Sequence, residues 1–191
     1  ADLEELLEIT DHIVFNSERQ LRKHGTRCRE AGISVGLRLN PQCSTQGDHA
    51  LYDPCAPGSR FGVTLDKIPS DLLDLVDGLH FHTLCEQGSD DLETTLKAVE
   101  AQFGSYLHEI KWLNMGGGHH ITREGYDVDL LISEIKRIRE TYNLEVYIEP
   151  GEAIALNAGY LATEVLDIVE NSMEILVLDA SATCHMPDVL E

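Results

Sequence analysis

The sequence predicts an α/β fold with a parallel sheet, followed by the start of a second domain built from β-strands. Short apolar runs rich in β-branched residues alternate with longer amphipathic stretches, which is typical of βα units. After residue 156 this alternation stops. Two strand patterns, 160–169 and 173–178, then follow one another with only three residues between them, as in a β-hairpin. We therefore expect one domain over 1–156 and the start of another over 157–191.

The first domain contains five predicted strands separated by helices and one long loop. The strands span 12–16, 33–39, 78–82, 110–114 and 145–149, and the helices span 17–31, 89–103 and 126–142. Ser17 precedes the first of these helices and is suited to cap it, because its hydroxyl can accept a hydrogen bond from a free backbone N–H. This order favours either a barrel or an open doubly wound sheet. Five strands cannot close an eight-stranded barrel, so we expect part of a larger protein.

The segment 40–59 interrupts the regular pattern with three prolines and two glycines. It follows the carboxyl end of a predicted strand. A loop of this length in a compact domain is usually functional or mobile.

Composition excludes some classes of function. The formal charge is −20, from 34 acidic and 14 basic residues, which opposes binding to nucleic acid and favours cationic ligands. We find no apolar run of about 18 residues, so no membrane span is expected. The five cysteines are odd in number and show no CxxC pair, which favours reduced thiols and a cytoplasmic protein.

The strand ends carry the residues with most chemical interest, since barrel enzymes place their active sites at the carboxyl ends of the strands. Three glycines, Gly116, Gly117 and Gly118, follow the fourth strand and would let backbone N–H groups approach a phosphate. They could equally form a plain turn. Glu149 ends the fifth strand, where it is either functional or an ordinary exposed acid. His80 and His82 alternate with Phe81 and so share one face, where one of them could stack on a flat ring.

A metal site is the alternative use of these side chains. Imidazole and thiolate groups bind zinc, and the available ligands are His80, His82, Cys85, His119 and His120. No pair among them has an established zinc spacing, and a metal site would leave the triple glycine unexplained. We therefore predict no metal.

Four motifs taken in order resemble the fold type III pyridoxal-phosphate decarboxylases, a family that includes ornithine, diaminopimelate and carboxynorspermidine decarboxylases. They are GLHFH at 78–82, NMGGG at 114–118, EPG at 149–151 and VLDA at 177–180. Within this family the segments 80–86, 149–153 and 182–191 are most similar to the carboxynorspermidine/carboxyspermidine decarboxylases. The resemblance covers essentially the whole chain, and it implies a partial (β/α)8 TIM-like barrel of the alanine-racemase type.

The resemblance also implies pyridoxal 5'-phosphate as the cofactor and gives its contacts. His82 matches the histidine that stacks on the pyridine ring, and Gly116, Gly117 and Gly118 match the glycines that bind the phosphate. Glu149 matches the carboxylate that pairs with the protonated ring nitrogen, which makes the cofactor a better electron sink. Arg60 matches a basic position near the site.

Some positions depart from the family pattern. Glu152 stands where ornithine decarboxylases have an arginine that holds the phosphate, so we assign Glu152 and Asp188 to the ammonium groups of a carboxylated polyamine. Cys85 replaces a serine that contacts phosphate and is a weaker donor. Cys184 and His185 are possible acid or base groups, or simply part of a packed turn.

The largest departure is the absence of a lysine that could form the Schiff base with the cofactor. The resemblance places it on the first barrel strand, but the lysines here fall on helices, in a loop or at the start of a strand, namely Lys23, Lys67, Lys97, Lys111 and Lys136. We expect this piece to be inactive alone and the full product to be a homodimer that forms norspermidine or spermidine. The alternatives are a decarboxylase for diaminopimelate, ornithine or arginine, or a non-catalytic regulator that has lost the lysine.

Overall fold

A computed structural model describes residues 3–47 and 53–187 of the chain. The chain divides into two compact units, Ala1–Leu156 and Asn157–Glu191. The first unit contains, in order, α1 (Leu3–Ile9), β1 (His12–Phe15), α2 (Glu18–Glu30), β2 (Ser34–Leu39), α3 (Leu72–Leu75), β3 (Gly78–Phe81), α4 (Ser89–Leu107), β4 (Trp112–Asn114), α5 (Val128–Tyr142), β5 (Glu145–Tyr147) and α6 (Gly151–Ala155).

The five strands form one parallel sheet in sequence order, β1-β2-β3-β4-β5. Sequential parallel strands joined by helices are the arrangement of neighbouring strands in a (β/α)8 barrel. All five predicted strands are confirmed. Each observed strand agrees with its predicted range at one end and is one or two residues shorter at the other. The order also removes the open doubly wound alternative, because such a sheet reverses its strand order at a switch point.

The sheet buries the apolar side chains on one of its faces. Leu37, Leu79, Phe81 and Leu113 have no exposed surface and belong to one core that includes side chains of α2, α4 and α5. His80 lies next to Phe81 and therefore points to the opposite face. The predicted face of His80, opposite to Phe81, is therefore observed. His82, which directly follows β3, was assigned to the face of His80 by the same alternation.

The opposite face is filled near the amino ends of the strands by Trp112. Its indole lies against Gly36 and Gly78, where a Cβ atom on either glycine would overlap the ring. The indole Nε1 donates to Ser34 Oγ at 2.8 Å. This packing leaves the carboxyl half of the same face for polar side chains.

The three predicted helices are present as α2, α4 and α5. The hydroxyl of Ser17 accepts a hydrogen bond from Gln20 N at 3.3 Å, which confirms it as the N-cap of α2. Helix α4 runs four residues beyond its predicted end. The loop after β2 also contains the short helix α3 and a 3-10 turn at Leu65–Lys67, which are too short to produce a periodic pattern.

The second unit contains an antiparallel hairpin, as predicted, formed by β6 (Val165–Glu170) and β7 (Glu174–Leu178), followed by the short helix α7 (Ala182–His185). Among the helices that the structure describes, none is long and apolar enough to cross a membrane.

Candidate functional site

Three loops meet at the carboxyl edge of the sheet. His82 follows β3, the glycines 116–118 follow β4, and Glu149 follows β5. Gly117 lies between the other two: a Cβ atom on it would be 2.6 Å from the Glu149 carbonyl oxygen and 3.2 Å from His82 Cε1. Three of the positions predicted from sequence are therefore direct neighbours.

The glycine loop, residues 116–118, is a close-packed backbone turn with unpaired N–H groups among the described residues. Gly116 and Gly118 have positive φ angles of 72° and 79°, and a Cβ atom on Gly116 would be 2.5 Å from the Phe81 carbonyl oxygen. Gly116 N donates to Asn114 Oδ1 at 2.8 Å. Over the residues described, the N–H groups of Gly118 and His119 have no protein acceptor. Two adjacent free N–H groups suit an anionic oxygen such as one of a phosphate.

His82 is held with one ring nitrogen as an acceptor. Gly117 N donates to His82 Nδ1 at 3.2 Å, so the proton of the neutral ring lies on Nε2. Burial, and after it the charge of Arg38, lowers the pKa of His82. A neutral, fixed imidazole is suited to stack on a flat ring.

Both carboxylate oxygens of Glu149 have polar neighbours. Asn114 Nδ2 donates to Oε1 at 2.8 Å, and His80 Nε2 lies 3.6 Å from Oε2. His80, and after it Asn114, lowers the pKa of Glu149 to about 2 against the opposing effect of burial. The ionised carboxylate can pair with a protonated ring nitrogen.

Arg38 is a second basic side chain at this edge, besides the predicted Arg60. Arg38 Nη2 donates to the His82 carbonyl oxygen at 3.4 Å, and its guanidinium lies 4.6 Å from the centre of the Phe61 ring. Arg60 is exposed, stacks on the same ring at 4.5 Å, and accepts a hydrogen bond from Asn16 through its carbonyl oxygen. The lone arginine near the end of the apolar strand SVGLRL was the sequence signal for Arg38.

Glu152 lies beside a histidine instead of standing free. Its Oε1 is 3.1 Å from His120 Nε2, and Glu86 lies close to both. Burial, and then the charges of Glu86 and Glu152, raises the pKa of the Cys85 thiol. Asp188, the other predicted ligand of the substrate ammonium groups, lies outside the described residues.

The metal ligands weighed from sequence do not come together as a set in the described ranges. The group with suitable spacing there is Glu86, His120 and Glu152. His119 is 1% exposed, and burial lowers its pKa. Its two ring nitrogens have no hydrogen-bond partner in the part of the chain that the structure describes.

The remaining predicted residues lie elsewhere. Cys184 and His185 belong to α7 of the second unit, where Ser181 N donates to His185 Nδ1 at 3.2 Å. All five lysines lie in the described ranges, and none belongs to a strand. Lys67 lies in the 3-10 turn after β2 and pairs with Asp66 at 3.1 Å. Lys111, the one nearest a strand, directly precedes β4 and pairs with Asp77 at 2.7 Å.

These side chains fit a planar ring that carries a protonated nitrogen and a phosphate, as pyridoxal phosphate does. His82 would cover the ring, Glu149 would bind the nitrogen, and the glycine loop would bind the phosphate. The glycine loop has no room for side chains, and two of its N–H groups are free, so it meets the steric requirement of that contact.

Comparison with known sequences identifies relatives of the whole chain, although no family model matches it. It is 41% identical over 189 residues to a carboxynorspermidine/carboxyspermidine decarboxylase of Campylobacter jejuni, covering 99% of this chain and 49% of that protein. It is 40% identical to a carboxyaminopropylagmatine decarboxylase of Synechocystis, covering 100% of this chain and 49% of that protein. The chain therefore spans about half the length of the curated relatives it matches.

Solved structures agree. The crystal structure of carboxynorspermidine decarboxylase from Campylobacter jejuni complexed with norspermidine is 40% identical, with a TM-score of 0.87, and the match covers 97% of this chain and 47% of that one. A diaminopimelate decarboxylase at 21% identity, with a TM-score of 0.73, shares the fold, with 95% and 48% covered. The resemblance drawn from the motifs is confirmed, and the first unit has the fold of part of a TIM-like barrel.

Proposed function

We propose, from the homology of this chain to about half of a carboxynorspermidine decarboxylase, that it is part of a pyridoxal-phosphate enzyme that decarboxylates carboxynorspermidine or carboxyspermidine. The products are norspermidine or spermidine. The observation that carries the proposal is the convergence of His82, Gly117 and Glu149 from three loops at the carboxyl edge of the sheet.

The chain supplies the non-covalent contacts to the cofactor. His82 stacks on the ring, and Glu149 accepts a hydrogen bond from the ring nitrogen. Gly116, Gly117 and Gly118 surround the phosphate. The cofactor supplies the electron sink for decarboxylation, and the protein determines its orientation and charge state. In this proposal, a lysine in a part of the full-length protein outside these 191 residues completes the site.

The substrate in this proposal is a polycation that also carries a carboxylate. The net charge of −20 raises the local concentration of such a molecule. Glu152 and Asp188 remain proposed partners for its ammonium groups, and Cys184 and His185 remain proposed acid or base groups. We propose that the whole protein acts as a cytoplasmic homodimer.

A second substrate is supported by one specific observation. The identity to the carboxyaminopropylagmatine decarboxylase of Synechocystis, 40%, is almost equal to the 41% for the Campylobacter enzyme. Both reactions remove a carboxylate beside an amine and leave a polyamine tail, so the same cofactor contacts serve either. They differ in the group at the far end of the tail.

The test uses the full-length protein, expressed from the complete reading frame. Cofactor binding is followed by absorbance, and release of CO₂ is measured with carboxynorspermidine, carboxyspermidine, carboxyaminopropylagmatine, diaminopimelate, ornithine and arginine as separate substrates. We expect the carboxylated polyamines to give the largest kcat/KM. A protein that binds the cofactor but has no activity and no lysine on its first strand would be a regulator, and the proposal would be wrong.

A further inference from the structure

Three side chains beyond the proposed cofactor contacts converge from three loops. Glu86 follows β3, His120 follows the glycine loop, and Glu152 lies in the first turn of α6. One ligand atom of each lies within 4.8 Å of the other two. They are four, two and three residues beyond His82, Gly118 and Glu149 respectively, so they form a second tier at the same edge.

The histidine in this cluster has buried nitrogens without partners. The His120 side chain is 11% exposed, and neither ring nitrogen has a hydrogen-bond partner among the described residues. Glu152 Oε1 is only 3.1 Å from Nε2, yet the pair does not have hydrogen-bond geometry. A buried imidazole nitrogen beside a carboxylate needs another partner to offset its desolvation.

The cluster also lacks a countercharge. Glu86 and Glu152 together bring two negative charges. Within the described ranges, no lysine or arginine lies within 4.0 Å of either carboxylate. A cation is the occupant that this charge and these acceptors favour.

The separation of His120 and Glu152 distinguishes between two kinds of cation. An ammonium nitrogen that donates to two acceptors at about 2.8–2.9 Å along tetrahedral directions holds them about 4.6 Å apart. A zinc ion with ligands at about 2.0–2.2 Å holds them about 3.3–3.5 Å apart, and an octahedral ion holds them slightly closer. The observed 3.1 Å is shorter than a shared ammonium group allows; it is the distance of a direct histidine–glutamate ion pair, and it also falls in the range of two ligands of one metal ion.

Backbone contacts hold the ligand-bearing loops in place. Gln87, next to Glu86, donates through its N–H to the Gly118 carbonyl at 3.0 Å, and its carbonyl accepts from His120 N at 3.1 Å. Thr122 Oγ1 donates to the Ala153 carbonyl at 3.4 Å, which ties the loop that carries His120 to α6. Ligands preorganised in this way bind a metal at a lower entropic cost.

We propose that Glu86, His120 and Glu152 bind one divalent transition-metal ion, of the zinc or manganese class. One imidazole and two carboxylates leave a coordination position for water or for a substrate group, as in open zinc sites. The site does not depend on the decarboxylase function. A bound metal ion and a substrate ammonium group are alternative partners for the Glu152 carboxylate, and the experiment below distinguishes them.

The experiment titrates the chelator-treated full-length protein with ZnCl₂, and separately with MnCl₂, by calorimetry. We expect one ion per chain and a loss of affinity of at least about tenfold in His120→Asn, Glu152→Gln and Glu86→Gln. The matched controls are His108→Asn and Glu109→Gln, which change exposed residues of the same types outside the cluster. Both should bind metal like the parent protein.

Two further readouts separate this proposal from the proposed function. The cofactor absorbance spectrum reports whether the neighbouring cofactor site is intact. Circular dichroism reports folding, and Glu86→Gln changes an exposed side chain, so it keeps the test valid if His120→Asn fails to fold. Norspermidine is titrated in parallel.

Metal binding that is absent, or equal in the three variants and the controls, overturns the proposal. Norspermidine affinity that depends on Glu152 without metal binding also overturns it and supports the ammonium role instead.

Discussion

His80 Nε2 lies 3.6 Å from Glu149 Oε2. His80 belongs to β3 and Glu149 follows β5, with β4 between these two strands of the parallel sheet. The sheet register places His80 opposite Asn114, whose amide donates to the other Glu149 oxygen at 2.8 Å. Neighbouring strands thus present two polar side chains to one carboxylate. This pair defines the ionisation and the orientation of Glu149.

We expect His80→Gln to raise the pKa of Glu149, because His80 is the first cause of its lowering to about 2. As the pH is lowered, protonation of Glu149 weakens cofactor binding. In His80→Gln this loss of affinity should begin at a higher pH than in the parent full-length protein. Titration of cofactor binding between pH 4 and 8 measures the shift. His108→Gln is the control, and an unchanged pH profile in His80→Gln would contradict the positioning role.

Glu149 should also make folding stability depend on pH in a defined window. A carboxylate with a pKa of about 2 in the folded chain, against 4.5 unperturbed, favours folding above about pH 4.5. That contribution is lost as the pH falls toward 2. Glu149→Gln should therefore unfold at a lower temperature than the parent at pH 6, with a gap that narrows from pH 4.5 to pH 3. The effect is modest because the side chain is 49% exposed.

The measurement is thermal unfolding of the cofactor-free full-length protein at each pH. Glu145→Gln provides the control, since Glu145 is an exposed residue of β5, the strand that Glu149 follows. A gap that stays constant from pH 6 to pH 3 would show that ionisation of Glu149 is not responsible.

Gly117→Ala should reduce cofactor affinity by at least about tenfold. The added Cβ atom would be 2.6 Å from the Glu149 carbonyl oxygen, so the loop or Glu149 must move, and a displacement of this kind is costly at a preorganised site. Gly104→Ala is the control because its Cβ atom would meet only Tyr142 Oη at 3.7 Å. Absorbance titration with pyridoxal phosphate measures both, and equal affinities would rule out the glycine loop as a contact.

The contributions of Arg38 and Arg60 to cofactor affinity can be distinguished by replacing each with methionine. Arg38 contacts the backbone of His82, whereas Arg60 contacts Asn16 and the Phe61 ring. We expect Arg38→Met to lower cofactor affinity severalfold and Arg60→Met to change it little. A larger effect at Arg60 would favour the position inferred from the family resemblance.

The succession of strands and helices along the chain, the shared face of the histidines and the loop positions of His82, Gly117 and Glu149 were predictable from sequence. Each depends on local periodicity or on the rule that the carboxyl ends of parallel strands meet at one edge. The hairpin of the second unit was predictable for the same reason. The short helix α3 was not, because four residues are less than one period of an amphipathic pattern.

Contacts between loops were not predictable. Arg60 was inferred from the resemblance, whereas the contact of Arg38 with the His82 carbonyl oxygen joins residues 44 positions apart and is visible only in the structure. The proximity of Glu152 to His120 was likewise not predicted. The chain separation between those two residues is 32 positions, so no local pattern relates them.

By itself the sequence determined the α/β pattern, the carboxyl-edge location of the site and the family that the motifs resemble. Only the tertiary structure decided which polar side chains share an atom-level contact: His80 with Glu149, Asn114 with Glu149, and His120 with Glu152. The physical reason is the distance along the chain over which each effect acts. Periodicity and turn chemistry act over a few residues, whereas a carboxylate is ionised by whichever groups the packed loops bring within a few ångströms of it.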